Sequence, residues 1–267
     1  MGREKQNQVK CRIPKRIRQL LILLIWLLLW QLLAELIHNR ILFVGPAEAF
    51  AALFLQLPTV EFWRTVLHSS FRICSGYLLA FLLGVLFGIL AYKKWYAEEF
   101  LEPAVALLQS IPVASFVILA LVWIKSQNLS IFIAFLVVFP QIYMSVFTGI
   151  KNADPQLLEV AKVYRFSRIK TLKLCYLPAV RPLFKAAVST AVGFAWKAGV
   201  AGEVLALPRI GIGTMLRDAK VYLETLDVFC WTAVTILLSL LVEKGILFLA
   251  GGKRKKEGAP CPSSYPD

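Results

Sequence analysis

The chain alternates long apolar runs with short polar segments. A transmembrane helix needs roughly 20 mainly apolar residues to cross the hydrocarbon core of a bilayer. Six stretches are long and apolar enough, at residues 20–37, 73–92, 104–124, 129–150, 183–205 and 228–250. The pattern therefore predicts an all-α membrane protein with six transmembrane helices in one membrane domain, residues 20–250.

Two stretches fit this pattern less well than the others. The fifth is the least apolar because it contains three charged residues, Lys185, Lys197 and Glu203. A seventh apolar stretch, 41–57, is shorter and contains Pro46 and Glu48. We interpret it as an external or interfacial helix.

Composition supports the membrane assignment. Hydrophobic residues make up 58% of the 267 residues and charged residues 17%, whereas soluble domains have about 45–50% and about 25%. This excludes an ordinary soluble globule and a disordered chain. The five cysteines are scattered and form no C-x-x-C motif, so no disulfide framework is indicated.

The net charge of +14 is unusual for so apolar a chain. Lysine and arginine are enriched in the cytoplasmic loops of membrane proteins. With both termini inside, twenty of the thirty basic residues fall on the cytoplasmic segments 1–19, 93–103, 151–182 and 251–267, and six fall outside. We therefore predict cytoplasmic termini, with a basic tail at 1–19 and a disordered one at 251–267. The charge then signals topology and not a nucleic-acid surface.

The segment 151–178 is too structured for a simple linker. Asp154-Pro155 predicts a helix start, because Asp caps free N–H groups and Pro suits the first helical position. Apolar residues then recur on one helical face, at Leu157, Leu158, Ala161 and Tyr164.

Ser167 is expected to cap a second short helix that Pro178 ends, giving a helical hairpin at the cytoplasmic face. Two interpretations remain open from the residues alone. The hairpin lies on anionic lipid through its basic side chains, or it inserts an apolar knob into a groove of a cytosolic partner.

One motif in this segment resembles a known family. Glu159-Val160-Ala161, with Leu177-Pro178 eighteen residues after the glutamate, is similar to the E-A-A-x-x-x-G-x9-I-x-L-P loop of ATP-binding-cassette (ABC) importer permeases. Further segments resemble the sulfonate, nitrate and taurine subfamily: Ser110-Ile111-Pro112, 193–197, Gly202-Glu203 and Gly211-Ile212-Gly213. The resemblance covers roughly 69–244.

Two positions depart from the family motif. Arg165 stands where the family has Gly, and Cys175 where it has Ile. A left-handed conformation costs a non-glycine residue about 1–2 kcal/mol. The turn at Arg165 is therefore expected to be built differently here.

The resemblance implies a type I ABC importer permease fold in a bacterial plasma membrane. The hairpin would couple to a cytoplasmic ATPase through Leu157, Leu158, Glu159, Ala161, Tyr164, Arg165, Leu177 and Pro178, with Ala161 small to fit a cleft. The implied partners also include an extracytoplasmic solute-binding protein and a second permease chain, identical or different.

The chain itself is not expected to be an enzyme or to hold a cofactor or metal. It contains no G-x-x-x-x-G-K-[ST] motif with which to cradle ATP. ATP and Mg²⁺ are therefore expected on a separate ATPase chain.

Four polar residues are candidates for the translocation pathway or its gate, namely Gln109, Gln141, Lys197 and Glu203. A charge in mid-span usually faces the bundle interior or water. Two roles are expected for Lys197: it contacts an anionic cargo, or it forms a structural ion pair with Glu35 or Glu243. Glu203 is expected at the external gate or at the contact with the binding protein.

Two other classes of membrane protein fit the sequence less well. An ion-coupled secondary transporter typically shows internal repeats and broken helices around midplane ion sites. A membrane enzyme needs converging titratable groups, and the two histidines, His38 and His68, have no metal-spaced partner. For cargo, the resemblance favours sulfonate, nitrate, taurine or a similar anion, with a vitamin or pyrimidine precursor as the alternative.

Overall fold

A computed structural model describes residues 15–37, 39 and 42–249, and every regular element in these ranges is helical. The predicted tails 1–19 and 251–267 therefore lie largely or wholly outside the described residues. The α-helices are α1 Lys15–Ile37, α2 Pro46–Gln56, α3 Val60–Lys93, α4 Trp95–Ser110, α5 Val113–Ala120, α6 Ser126–Lys151, α7 Pro155–Val163, α8 Arg168–Thr171, α9 Leu177–Ala206, α10 Ile212–Val221 and α11 Thr225–Leu249. A π-helical turn, Leu172–Tyr176, joins α8 to α9.

Helices α3, α6 and α9 form the centre of the bundle. Small residues allow their close approach: a Cβ on Gly84 would lie 2.9 Å from Ile142 of α6, and one on Gly199 would lie 2.6 Å from Ile73 of α3. The largest fully buried side chain, Trp196, lies on α9. Since lipid gives no hydrophobic drive for helix association, such close packing stabilises the bundle.

Among the described residues, four helices are long and apolar enough to cross a membrane. They are Ile17–Ile37 of α1, all of α3, all of α6 and Thr225–Ile246 of α11. The pair α4 and α5 also passes this test when taken together. Helix α9 is not among them because its charged residues lower its mean hydropathy.

The predicted third span, 104–124, is not one continuous helix. Residues 104–124 are divided between α4 and α5, which meet at 104°. Ile111 and Pro112 adopt extended backbone between them, with ψ of 128° and 130°. The cause is the proline, which disfavours helical conformation in the preceding residue.

The predicted second span begins too late, at residue 73. Helix α3 starts at Val60, where Thr59 caps it by accepting a hydrogen bond from the Phe62 N–H at 3.3 Å. The first, fourth, fifth and sixth predicted spans correspond to α1, α6, α9 and α11. The stretch 41–57 forms the helix α2.

Candidate functional site

Helices α7 and α8 form the predicted hairpin, and both predicted caps are confirmed. The Asp154 carboxylate accepts a hydrogen bond from the Gln156 N–H at 2.9 Å, with Pro155 in the first helical position. The Ser167 hydroxyl oxygen accepts one from the Lys170 N–H at 3.4 Å. Local sequence alone therefore determines where both helices start.

The turn after α7 keeps the left-handed geometry, so the expectation of a different turn is wrong. Arg165 has φ of 49°. The Phe166 N–H donates to the Ala161 carbonyl at 2.9 Å, and the Arg165 N–H donates to the Lys162 carbonyl at 3.1 Å. This is a Schellman motif, whose bonds satisfy the last carbonyls of the helix and offset the cost of a non-glycine residue.

Pro178 does not end the second arm as predicted. The Leu177 N–H donates to the Leu172 carbonyl, five residues earlier, and helical backbone runs through the π turn into α9. A proline ring clashes with the carbonyl four residues before it in a regular α-helix. The wider π turn lies where that clash would occur, which explains why the helix continues.

Two contacts anchor the π turn to its surroundings. Cys175, at the family Ile position, is buried, and its sulfur lies 3.8 Å from the Leu157 carbonyl oxygen of α7. The hydroxyls of Tyr176 and Tyr92 lie 3.3 Å apart, joining the turn to the end of α3. This hydrogen bond raises the pKa of Tyr176 to about 12.

Most of the apolar side chains of the hairpin are exposed. Val163 is 78% exposed and Tyr164 72%, and the other exposed apolar residues are Leu157, Val160, Ile169, Leu172, Leu174 and Leu177. Glu159 and Arg165 are also exposed. Ala161, in contrast, is 4% exposed, so its small size serves packing within this chain.

A second polar site lies at the other end of α9, around Glu203. Glu203 is 0% exposed. Its Oε2 accepts hydrogen bonds from the Ser69 hydroxyl at 2.7 Å and from the Gly213 N–H at 3.1 Å. Its Oε1 lies 3.5 Å from Arg72 Nη1, so the two side chains form an ion pair, but the geometry is not that of a hydrogen bond. Because the carboxylate is enclosed, it presents no surface to a binding protein.

With the partners of Glu203, the site comprises residues of four helices, α3, α6, α9 and α10. Arg72 donates to the Ile210 carbonyl at 2.7 Å and to Gln127 Oε1 at 2.6 Å. The Ser69 hydroxyl oxygen accepts a hydrogen bond from the Ile212 N–H at 2.8 Å. Sequence reasoning missed Ser69 and Arg72. The available signal was the opposite charge of Arg72, directly before the predicted second span, and Glu203, near the end of the fifth.

The sequence of the chain is similar to sequences of known proteins. The profile of the family described as binding-protein-dependent transport system inner membrane component matches residues 80–245, more than half of the chain. The chain belongs to this family.

Curated relatives of this inner membrane component are transport permeases by name. The chain is 29% identical to the putative aliphatic sulfonates transport permease protein SsuC of Bacillus subtilis, over 68% of this chain and 66% of the relative. The bicarbonate transport system permease protein CmpB of Synechocystis is 28% identical (70% and 67%), and the taurine transport system permease protein TauC of Escherichia coli 26% (69% and 67%). The match thus spans about two thirds of each relative.

Lys197 of the inner membrane component lies on an exposed stripe of α9. Exposed residues recur every three or four positions along this stripe. They are Leu183, Ala186, Thr190, Phe194, Lys197, Ala201 and Leu205. Neither predicted partner pairs with Lys197: Glu243 accepts a hydrogen bond from Ser189 at 2.6 Å and Glu35 one from Gln31 at 3.3 Å. In the described part of the chain, the Lys197 ammonium lies 5.9 Å from the Phe194 ring centroid and forms no ion pair.

The remaining pathway candidates lie in separate surroundings. Gln109 lines a cavity of about 270 Å³ between α4 and α6, together with Glu98, Glu102, Tyr143 and Lys151, among others. Gln141 donates to the Val137 carbonyl of its own helix at 3.2 Å. The structure of this single chain therefore does not bring Gln109, Gln141, Lys197 and Glu203 into one site.

Proposed function

We propose that this inner membrane component is the permease subunit of an ABC importer. It crosses the membrane six times, through α1, α3, the bent pair α4–α5, α6, α9 and α11. Both termini and the hairpin lie in the cytoplasm, and α2 and α10 lie outside. The excess of basic residues on the segments assigned to the inside supports this orientation.

The hairpin between α6 and α9 carries the proposal. Val163 and Tyr164 expose a compact apolar knob beside the charged Glu159 and Arg165. Exposed aromatic and arginine side chains at the centre of a contact contribute most of its binding energy. The hairpin therefore docks into a cytoplasmic ATPase, and that separate chain binds the ATP and Mg²⁺.

The stripe on α9 supports a pathway for anions. A lysine facing lipid in mid-span costs about 2.5–3.5 kcal/mol on insertion scales, so the stripe containing Lys197 faces water or protein. We place it along a pathway between this chain and a second permease chain. Names of the relatives refer to aliphatic sulfonates, bicarbonate and taurine, and the ammonium of Lys197 suits a small anion delivered by an extracytoplasmic binding protein.

Co-purification tests the ATPase partner. The ATPase is expected to elute with the wild-type permease and to be lost with Glu159→Arg. Glu224→Arg, an exposed glutamate after α10 on the opposite side, is the control and keeps it. Retention of the ATPase by Glu159→Arg contradicts docking through the hairpin.

Uptake into proteoliposomes tests the driving force and the cargo. Reconstituted permease, ATPase and binding protein are expected to accumulate methanesulfonate, taurine, nitrate or bicarbonate only with ATP inside. Uptake driven by an ion gradient without ATP supports a secondary transporter instead. Lys197→Met is expected to reduce anion uptake while Lys197→Arg retains it, and transport of a neutral pyrimidine alone would contradict the anion assignment.

A further inference from the structure

Helix α9 connects the hairpin to the site around Glu203. Helical backbone is continuous from Arg168 of the hairpin to Ala206. Helix α9 alone has 30 residues, which corresponds to about 45 Å. In the π turn before α9, the buried Cys175 contacts the Leu157 carbonyl of α7, and near its end α9 carries Glu203.

At that far end, Glu203 bonds directly to the start of α10. One carboxylate oxygen accepts the Gly213 N–H, and Ser69 bridges the same oxygen to the Ile212 N–H. The first-turn N–H groups of a helix have no partner within the helix itself. The position of α10 is therefore set by a side chain of α9 and one of α3.

Helix α10 approaches the Glu203 carboxylate and its backbone closely at two glycines. A Cβ on Gly211 would lie 2.8 Å from Glu203 Oε2, and one on Gly213 would lie 2.5 Å from the Val204 backbone nitrogen. Removing one partner of a buried ion pair leaves an uncompensated charge and is strongly unfavourable. Arg72 and Glu203 therefore move together with the backbone that they hold.

We propose that Glu203, held by Arg72 and Ser69, is a positioning residue that makes α10 follow the movements of the hairpin. It rests on the proposed function, because the hairpin moves only if an ATPase binds it. Through this latch, the nucleotide state of the ATPase inside the cell changes the position of α10 outside.

Hydrogen–deuterium exchange on the reconstituted permease–ATPase complex tests the latch. Exchange is compared with and without ATP plus vanadate in two peptides, 151–178 covering the hairpin and 207–224 covering α10. In wild type, both peptides are expected to change their exchange rates, because local opening follows the contacts that hold each segment.

Two variants and one control separate a latch from a structural brace. In Glu203→Gln, the response of 207–224 is expected to fall about fivefold or more, as for loss of an allosteric coupling, while 151–178 responds as in wild type. Ser69→Ala keeps both charges, so it avoids a buried unpaired charge, and its response is expected to fall about twofold or more because both hydrogen bonds of the hydroxyl are lost. Glu243→Gln, whose carboxylate also accepts a serine hydroxyl, is expected to respond as wild type.

The outcomes distinguish this proposal from the proposed function. If 151–178 does not respond in wild type, coupling to the ATPase is wrong and the latch is wrong with it. If 151–178 responds but 207–224 does not, or if 207–224 responds fully in both Glu203→Gln and Ser69→Ala, the latch alone is wrong. Should Glu203→Gln fail to assemble, Ser69→Ala decides between these results.

Discussion

Helices α7 and α10 end in the same way, although we place them on opposite sides of the membrane. Both end in Ala-Lys-Val-Tyr, at 161–164 and 219–222. Arg165 and Leu223 then follow with φ of 49° and 59°. The closing bonds also match, at 2.9 Å from the Phe166 N–H to the Ala161 carbonyl and 2.8 Å from the Glu224 N–H to the Ala219 carbonyl.

The two helices differ at their beginnings. Helix α7 starts with a cap supplied by its own neighbour, Asp154. Helix α10 starts after Gly211, which offers no side-chain cap, and its first N–H groups bond to Ser69 and Glu203. The comparison teaches that local sequence builds the ends of both helices, whereas long-range contacts build the beginning of α10.

Alanine at the second position of each helix tests this difference most strongly. Gly213→Ala is expected to destabilise the protein by about 3 kcal/mol, because the new methyl group would collide with Glu203 and the Val204 backbone. Gln156→Ala, at the same position of α7, is exposed and is expected to change stability by less than about 0.5 kcal/mol. Thermal unfolding in detergent measures both, and equal effects contradict the difference.

Aspartate at the matched valines tests which helix end binds the ATPase. Val163 is 78% exposed and Val221 61%. Val163→Asp is expected to weaken ATPase binding about 30-fold, the effect of losing a hot spot of about 2 kcal/mol, whereas Val221→Asp leaves it unchanged. Titration of the ATPase onto permease in nanodiscs measures the affinity. Weaker binding by Val221→Asp alone would reverse the proposed orientation.

Removing the cap tests the local start of α7. Asp154→Ala is expected to cost the hairpin about 1 kcal/mol, while Asp154→Asn keeps the cap. Hydrogen exchange of 151–166 is expected to accelerate about fivefold in the alanine variant only. Unchanged exchange would mean that contacts with the bundle, and not the cap, hold α7.

Glycine at the two left-handed positions has the smallest expected effect. Arg165→Gly and Leu223→Gly are each expected to raise stability by about 0.5–1 kcal/mol, because relief of left-handed strain exceeds the added freedom of the unfolded chain. Thermal unfolding measures this gain, with both single variants and the double. A loss of stability in either would show that its side chain contributes contacts worth more than the strain.

The predictable parts of the molecule are those encoded locally. Asp154, Ser167 and the apolar runs act over a few residues, so caps and most spans follow from sequence. Pro112 indicates a kink in the sequence, but the size of the bend, 104°, required the structure, because a proline in a long apolar run is also compatible with a mild kink. The continuation through Pro178 was missed because a π turn leaves no compositional signal.

The site around Glu203 required the tertiary structure. Ser69 and Glu203 lie 134 positions apart in the chain. No local sequence pattern pairs either Ser69 or Arg72 with Glu203. The exposed stripe around Lys197 is likewise visible only once the buried face of α9 is known. The charges were evident in the sequence, but their partners were not.

Photo-crosslinking from the two matched tyrosines tests the central claim, that the hairpin at Tyr164 is the docking site for the ATPase. Tyr164 and Tyr222 have nearly the same exposure, 72% and 74%, and nearly the same backbone conformation. A benzophenone amino acid is placed at each position in turn in the assembled complex. We predict an adduct with the ATPase from position 164 and none from position 222. An adduct with the ATPase from 222, or only lipid adducts from 164, would contradict the account.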